Sequence, residues 1–242
     1  MIFRPLPGFD SLDFPGIVRG IKGANLIWKW LEQLLRKHRG GPIGRKIPWP
    51  GPEQIALLPW FEELRRDQIT VVSTPEGARR AFDELARAGV VGFDTESKPT
   101  FVKGEISDGP HVAQFATPNR AYVFMLNEAV CRQVAGALIK SVALKKVGFG
   151  LSDDLKRIRI KLRVRPREVL DLETVFPARG YGRGVGVKVA VAIALNRRFR
   201  KPKKVSTSNW GARHLSDKQI FYAANDAFAA IKVFHALSQS KS

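Results

Sequence analysis

The stretch VVGFDTE (Val90–Glu96) is an apolar run that ends in two acidic residues one position apart, Asp94 and Glu96. In a β-strand, residues i and i+2 project to the same face, so these two carboxylates lie side by side. Adjacent carboxylates repel each other unless a cation separates them, and hard divalent cations such as Mg²⁺ or Mn²⁺ take oxygen ligands of this kind. The stretch therefore predicts a strand that ends at a metal site, although a strand-end acid also suits a helix cap or a turn.

Two further acidic segments follow in the chain. The sequence VGFGLSDDLKRI (Val147–Ile158) holds the pair Asp153 and Asp154, and FYAANDAFAAIKVF (Phe221–Phe234) holds Asp226. Each segment has a plainer interpretation. Either acid of the pair is suited to cap the helix that DLKRI begins, and Asp226 fits an apolar helix with one polar residue. Taken singly, the segments leave both interpretations open.

In their order and surroundings, the three segments resemble the exonuclease motifs of the DEDD superfamily of 3′→5′ exonucleases. The resemblance is to its tyrosine-bearing branch, which includes ribonuclease D and the Werner syndrome exonuclease domain. The first motif matches at residues 93–96 (FDTE), and the second matches as a G-x-G-φ-x-x-D pattern (φ apolar) over residues 148–154. The third is a Y-x-x-x-D pattern from Tyr222 to Asp226. The second match selects the later acid of its pair, Asp154, as the functional one.

The resemblance extends from about Ile69 to Leu237 and implies a fold and an activity. The implied fold is α/β, a ribonuclease-H-like mixed sheet flanked by helices. The implied activity is a 3′→5′ exonuclease that hydrolyses terminal phosphodiesters of DNA or RNA and releases nucleoside 5′-monophosphates, with Tyr222 orienting the attacking water. Two divalent cations, Mg²⁺ or Mn²⁺, are implied, held by Asp94, Glu96, Asp154 and Asp226. A non-catalytic nucleic-acid-binding module on this fold and another ribonuclease-H-like nuclease are the alternatives.

The formal net charge is +19, and most of the excess lies between the second and third motifs. Residues 156–204 hold sixteen Lys or Arg and three acidic residues, a net charge of +13. Balanced charge is typical of a solvated face, whereas an unbalanced run beside a phosphodiester site predicts contact with a phosphate backbone. We therefore expect the 3′ end of DNA or RNA as the partner. The expected contacts are Arg197, Arg198, Arg200, Lys201, Lys203 and Lys204.

Residues 1–68 differ in composition from the rest of the chain, since they hold eight of its fifteen prolines and four of its five tryptophans. Within them, Ile27–His38 has apolar residues at helical spacing with basic residues on the other side. This pattern favours a helix that docks on the following domain, and a basic helix that touches nucleic acid or a membrane surface is the alternative. We therefore divide the chain into a basic, Pro-rich N-terminal extension (1–68) and an exonuclease domain (69–242).

From residue 69 onward the sequence alternates between strand and helix patterns. Thr74 followed by Pro75 predicts a helix start, and Ser216 predicts the N-cap of the last helix. Tyr222 and Asp226 are four residues apart and so share one face of that helix. Strands are expected at 69–72, 90–96, 111–117, 121–126, 145–149 and 168–172, and helices at 74–88, 127–140, 185–195 and 216–237.

Other residues favour structural roles. Asp171 suits a cap for the helix after it, and Phe115 and Trp210 favour core packing over stacking on a base. A single cysteine, Cys131, excludes an intramolecular disulfide and fits a reducing compartment. No apolar run approaches the roughly 20 residues of a membrane span, and the N-terminus lacks the pattern of a secretory signal. We expect a cytoplasmic protein without a membrane partner.

Overall fold

The computed structural model describes residues 47–100 and 108–239, together with Lys29 and Gln33. Over those ranges the chain forms a six-stranded sheet flanked by helices. The strands are β1 (Ile69–Val72), β2 (Val90–Glu96), β3 (Val112–Ala116), β4 (Ala121–Met125), β5 (Lys145–Gly148) and β6 (Val169–Asp171). The helices are α1 (Pro52–Ala56), α2 (Pro75–Ala88), α3 (Ala129–Lys140), α4 (Ser152–Lys161), α5 (Val175–Ala178), α6 (Val187–Leu195), α7 (Lys203–Ser206) and α8 (Asp217–Gln239), with 3₁₀ turns at Arg66–Gln68 and Leu172–Thr174.

The strand order of the sheet is β1-β4-β3-β2-β5-β6. Strand β3 runs antiparallel to both of its neighbours, and the other pairings are parallel. Because β2 and β5 are parallel neighbours, their carboxyl ends lie at the same edge of the sheet. The first and second sequence motifs therefore meet at that edge. A mixed sheet flanked by helices confirms the predicted α/β class.

Helix α8 crosses directly over β2, and Gly92 permits this close approach. A Cβ atom at position 92 would lie 1.8 Å from the carbonyl oxygen of Ala227, so no larger residue fits unless the helix moves. Gly92 precedes Asp94 by two residues, and Ala227 directly follows Asp226. This contact therefore sets the position at which α8 presents Asp226 to the end of β2.

The two faces of the sheet differ in what they bury. The core face packs against α2 and α3 through apolar side chains such as Leu85, Phe124 and Leu138. The site face packs against α6 and α8, largely through alanine and valine side chains. It also buries polar side chains, among them Gln114 and Asp226. Buried polar groups require compensation, so the site face is the one that invites a functional explanation.

The segment from Ile47 to Leu64 packs against the rest of the fold. The main-chain N–H of Phe61 donates to Arg198 O at 2.9 Å, and that of Leu64 donates to Asn225 Oδ1 at 2.9 Å. The ring of Phe61 meets that of Phe199 edge-on at 5.5 Å between centroids. This part of the predicted extension is therefore attached to the domain by buried contacts.

The predicted helix at residues 27–38 lies outside the described residues, apart from Lys29 and Gln33, which are helical. From residue 69 onward, the predicted strands and helices match the observed ones within two residues. The caps expected at Thr74 and Ser216 are present, since Thr74 Oγ1 accepts from Gly77 N at 3.1 Å and Ser216 Oγ accepts from Gln219 N at 3.4 Å. Among helices in the described ranges, none is long and apolar enough to cross a membrane.

One capping prediction is wrong. The N-cap of α4 is Leu151 and not an acid of the Asp153-Asp154 pair, because the helix already begins at Ser152. Asp153 lies in the first turn and pairs with Lys156 at 2.9 Å on the surface.

The expected structural roles of three other residues are confirmed. Phe115 and Trp210 are fully buried, so neither ring is open to a base. Cys131 is also fully buried, and burial raises the pKa of its thiol to about 11. We therefore expect this thiol to be unreactive in the folded protein.

Candidate active site

Carboxylates of the first and third motifs meet at the carboxyl end of β2. Asp94 and Glu96 come from the strand, and Asp226 faces them from α8. One carboxylate oxygen from each residue lies within 4.8 Å of the other two. The structure thus brings together three of the four acids that the sequence singles out. This group is termed the acidic cluster.

The acidic cluster is in a location that disfavours negative charge. Burial raises the pKa of Asp94 well above its usual value, and the nearby Asp226 and Asp154 raise it further. The pKa of Glu96 is likewise raised well above its usual value, first by burial and then by Asp226. Buried carboxylates stay ionised only where a positive charge is close. In its ionised form, the acidic cluster therefore needs a nearby cation.

In this structure the cation is the ammonium of Lys201, which enters from the loop between α6 and α7. Its Nζ lies 2.5 Å from Asp226 Oδ2, and the two side chains are 31% and 4% exposed. Burial alone would lower the pKa of Lys201, but the carboxylates of Asp226 and Asp94 raise it above its usual value. The position of this ammonium among carboxylate oxygens shows that the site accommodates a cation. Its oxygen donors suit a hard divalent ion such as Mg²⁺ or Mn²⁺.

Asp154, the fourth predicted ligand, lies beside the acidic cluster. Its Oδ1 accepts a hydrogen bond from Thr95 Oγ1 at 2.5 Å. Because Thr95 stands between Asp94 and Glu96 on β2, this bond ties α4 to the strand of the first motif. Burial raises the pKa of Asp154, although the bond from Thr95 opposes the increase.

Asp171, at the end of β6, holds the turn that leads into α4. Its carboxylate accepts from Gly150 N at 3.1 Å and from Leu151 N at 2.9 Å. Gly150 has a φ of 65°, in the left-handed region that favours glycine. The same carboxylate accepts from Glu173 N at 3.0 Å, which confirms the predicted cap. Asp171 therefore has a second role, which is to fix the approach of Asp154.

Tyr222 lies one helical turn before Asp226 and is 8% exposed. Its ring lies 5.8 Å from the ring of Trp210, and Lys201 Nζ is 5.7 Å from its centroid. Burial and then Asp226 raise the pKa of the Tyr222 hydroxyl above its usual value. The hydroxyl therefore stays protonated at neutral pH and is able to donate a hydrogen bond.

Gln114 on β3 is a buried polar residue next to the site. It pairs directly with Asp94 across the two strands, and such pairs share one face of a sheet. Its side chain is fully buried, and within the described residues neither amide atom has a hydrogen-bond partner. A buried amide without partners is rare. The position of Gln114 beside the acidic cluster is consistent with an amide that contacts a metal ion's water ligand.

The six basic residues expected to contact nucleic acid divide into two groups. Arg198 stacks on Trp60, with 3.7 Å from its guanidinium carbon to the ring centroid, and donates to Ala56 O at 2.8 Å. Lys201 is in the acidic cluster. The side chains that are exposed to solvent are those of Arg197, Arg200, Lys203 and Lys204.

A cavity of about 890 Å³ borders Tyr222. Val205 and Phe221 contribute apolar walls, and Arg200 and Lys204 contribute positive charge. The same loop and helix that carry the exposed basic residues therefore line a space that Tyr222 borders, one helical turn from Asp226.

Sequence reasoning missed three features of the site. The spacing of Lys201 in its basic run looks like that of its neighbours, so nothing indicated its place in the acidic cluster. Gln114 lies in an apolar strand sequence, where one polar residue among buried neighbours was the available signal. For Asp171, the cap was readable from the following residues, but its bonds to the α4 turn depend on strand pairing.

The fold and the acidic cluster define a nuclease-type α/β domain. A family model described as 3′-5′ exonuclease matches residues 69–240, so the chain belongs to that family. The chain is 25% identical over 155 residues to the bifunctional 3′-5′ exonuclease/ATP-dependent helicase WRN of Mus musculus, covering 63% of this chain and 11% of that protein. It is 27% identical over 149 residues to a 3′-5′ exonuclease of Arabidopsis thaliana, covering 61% and 52%. The chain thus spans about half or less of these relatives.

Among solved structures, the fold resembles RNase D of Trypanosoma brucei in its complex with RNA U12. The TM-score is 0.63 at 22% identity, over 72% of this chain and 63% of that one. This likeness confirms the ribonuclease-H-like fold implied by the sequence motifs.

Proposed function

We propose that the protein is a two-metal-dependent 3′→5′ exonuclease that releases nucleoside 5′-monophosphates from the 3′ end of DNA or RNA. The observation that carries this proposal is the acidic cluster, where oxygens of Asp94, Glu96 and Asp226 lie within 4.8 Å of one another. Membership of the 3′-5′ exonuclease family supports the direction of hydrolysis. The RNA bound to the related RNase D supports a nucleic-acid substrate.

The residues of the site have different roles in the proposed reaction. Asp94, Glu96 and Asp226 would hold the metal, with Asp154 completing the ligand set. When bound, divalent cations supply positive charge at the reacting phosphate and lower the pKa of water. The protonated Tyr222 hydroxyl donates a hydrogen bond that orients the attacking water. Thr95 holds the Asp154 carboxylate in place, and Asp171 in turn fixes the turn from which α4 starts.

Substrate binding is assigned to the exposed basic residues of α7 and of the loop before it, of which Arg200 and Lys204 line the cavity. Arg197, Arg200, Lys203 and Lys204 would grip the phosphate backbone, which gives affinity without sequence preference. Arg198 is engaged with Trp60 and so serves mainly to position the loop. The expected division at residue 68 and the expected cytoplasmic location stay predictions.

The test uses matched DNA and RNA oligonucleotides that carry the label at either the 3′ or the 5′ end, with Mn²⁺ present. We expect a 3′ label to appear at once as a nucleoside 5′-monophosphate, and a 5′-labelled strand to shorten one nucleotide at a time. Asp94→Asn, verified as folded by circular dichroism, is the control that should show neither. Internal cuts would indicate another ribonuclease-H-like nuclease, and binding without hydrolysis would indicate a non-catalytic module.

A further inference from the structure

The loop between α6 and α7 is anchored on both sides of Lys201. Before it, Phe199 is buried, and its ring meets Phe61 edge-on at 5.5 Å. After it, α7 begins at Lys203 and is tied to the buried Trp210, whose Nε1 donates to Ser206 O at 3.1 Å. The direction of the Lys201 side chain toward Asp226 therefore follows from packed backbone on either side of it.

Lys201 acts on the whole acidic cluster and not only on its nearest oxygen. The oxygens of Asp94 and Glu96 lie within 4.8 Å of an oxygen of Asp226, so a positive charge held at Asp226 attracts all three carboxylates at short range. With the ammonium 2.5 Å from Asp226 Oδ2, a divalent ion at that oxygen, at its own ligand distance of about 2.0–2.6 Å, would lie next to a second positive charge. Two cations at one oxygen would also repel each other.

We propose that Lys201 is the resident counter-ion of the acidic cluster, and that a divalent cation binds by displacing the Lys201 ammonium from Asp226. This inference rests on the proposed function, since it concerns the same metal site. Displacement needs no backbone movement, because the Lys201 side chain is 31% exposed and has a flexible four-carbon stem.

Two consequences follow from this competition. Each metal-binding event includes the free energy of separating the Lys201–Asp226 pair, so Lys201 weakens metal affinity and raises the metal concentration at which the site fills. In the metal-free protein, the same pair offsets the repulsion among the three carboxylates of the acidic cluster. Lys201 therefore stabilises the metal-free fold while opposing metal binding.

The test is calorimetric titration of Mn²⁺ into the full chain without nucleic acid. Lys201→Met removes the charge and keeps an apolar stem of similar reach, so we expect Mn²⁺ to bind about tenfold more tightly, within the usual range of coupling between two sites. Lys203→Met is the matched control, because it removes the same charge from an exposed position two residues away, and its affinity should stay within about twofold of the parent. Lys201→Arg keeps the competing charge and should stay close to the parent.

A second measurement is melting temperature with EDTA and with Mn²⁺. We expect Lys201→Met to have a lower melting temperature than the parent in EDTA and a larger increase in melting temperature on adding Mn²⁺. This measurement tests the competition between Lys201 and the metal even if the variant is too unstable for calorimetry. Equal or weaker Mn²⁺ binding in Lys201→Met than in Lys203→Met would overturn the inference and leave the proposed function intact. Failure of the parent chain to bind Mn²⁺ would instead overturn the proposed function, and the inference with it.

Discussion

One lysine is half-buried on the site face and another is fully buried on the core face, and the two have opposite electrostatic surroundings. On the site face, carboxylates surround Lys201 and raise its pKa. On the core face, Lys146 is fully buried, and its Nζ donates to Ser141 O at 2.8 Å and to Leu144 O at 2.7 Å. Burial lowers the pKa of Lys146 to about 7. Burial alone therefore does not set the charge of a lysine, because its partners decide which protonation state is favoured.

The two faces of the sheet also differ as a whole. Apart from polar exceptions such as Lys146, the core face is apolar, so its side chains contribute to stability by burial. The site face concentrates carboxylates and, among the described residues, a buried amide without a hydrogen-bond partner; such groups cost stability and indicate a functional role. We therefore expect substitutions on the two faces to separate stability from activity.

The largest effect is expected for a carboxylate of the acidic cluster. Glu96→Gln should reduce hydrolysis by about 10³-fold or more, on the scale of losing a group that acts in the transition state. The same change should leave the metal-free melting temperature unchanged or raise it, because it removes one of the mutually repelling charges. Single-turnover rates and thermal melts of the same preparation test both parts. A large drop in melting temperature would show that the Glu96 carboxylate supports the fold.

Substitution of a core-face residue should lower stability and leave activity unchanged. Leu138 is fully buried, so Leu138→Ala should lower the free energy of unfolding by about 2–5 kcal/mol. Its kcat, measured well below its melting temperature, should match the parent. Val142→Ala, at a position that is 62% exposed, is the control and should change stability by less than about 0.5 kcal/mol. Equal losses in both variants would refute the assignment of Leu138 to the core.

Lys146, the lysine of the core face, should make the stability of the fold depend on pH. The folded pKa of Lys146 is about 7 and its unfolded value is higher, so between these values the unfolded chain binds a proton that the folded protein lacks. Stability should therefore rise with pH, and this contribution should grow by about 2 kcal/mol between pH 7 and pH 9. Lys146→Met should remove that rise. Urea titrations of both proteins across this range measure the difference, and parallel curves would contradict the neutral state of Lys146.

These examples show which parts of the molecule were predictable from sequence. The strand bounds, the caps at Thr74 and Ser216, and the pairing of Asp94 with Glu96 follow from local spacing. The positions of Lys201, Lys146 and Gln114 follow from tertiary packing, which brings distant segments together. The basic run illustrates the limit, since local sequence did not distinguish Lys201, which contacts the acidic cluster, from its exposed neighbours.

The smallest effect is expected for the exposed part of the basic run. Replacing Arg197, Lys203 and Lys204 together with Gln should weaken binding of all sequences alike. It should also flatten the log–log salt dependence by up to about 3 for duplex DNA and about 2 for single strands. Titrations against a labelled oligonucleotide at several salt concentrations, without metal, measure the slope. The control replaces three exposed arginines of α2 (Arg79, Arg80 and Arg87), and an equal slope change there would mean that the effect is one of overall charge.

The central claim is that the acidic cluster is the metal site at which hydrolysis occurs. The most direct measurement is a Mn²⁺ titration of the protein with a single-stranded oligonucleotide, in which electron paramagnetic resonance counts the bound ions while the rate of 3′-nucleotide release is followed. We expect hydrolysis to appear as the second Mn²⁺ binds, and Asp226→Asn to lose both that ion and the activity. Hydrolysis without bound Mn²⁺, or unchanged Mn²⁺ binding in Asp226→Asn, would contradict the claim.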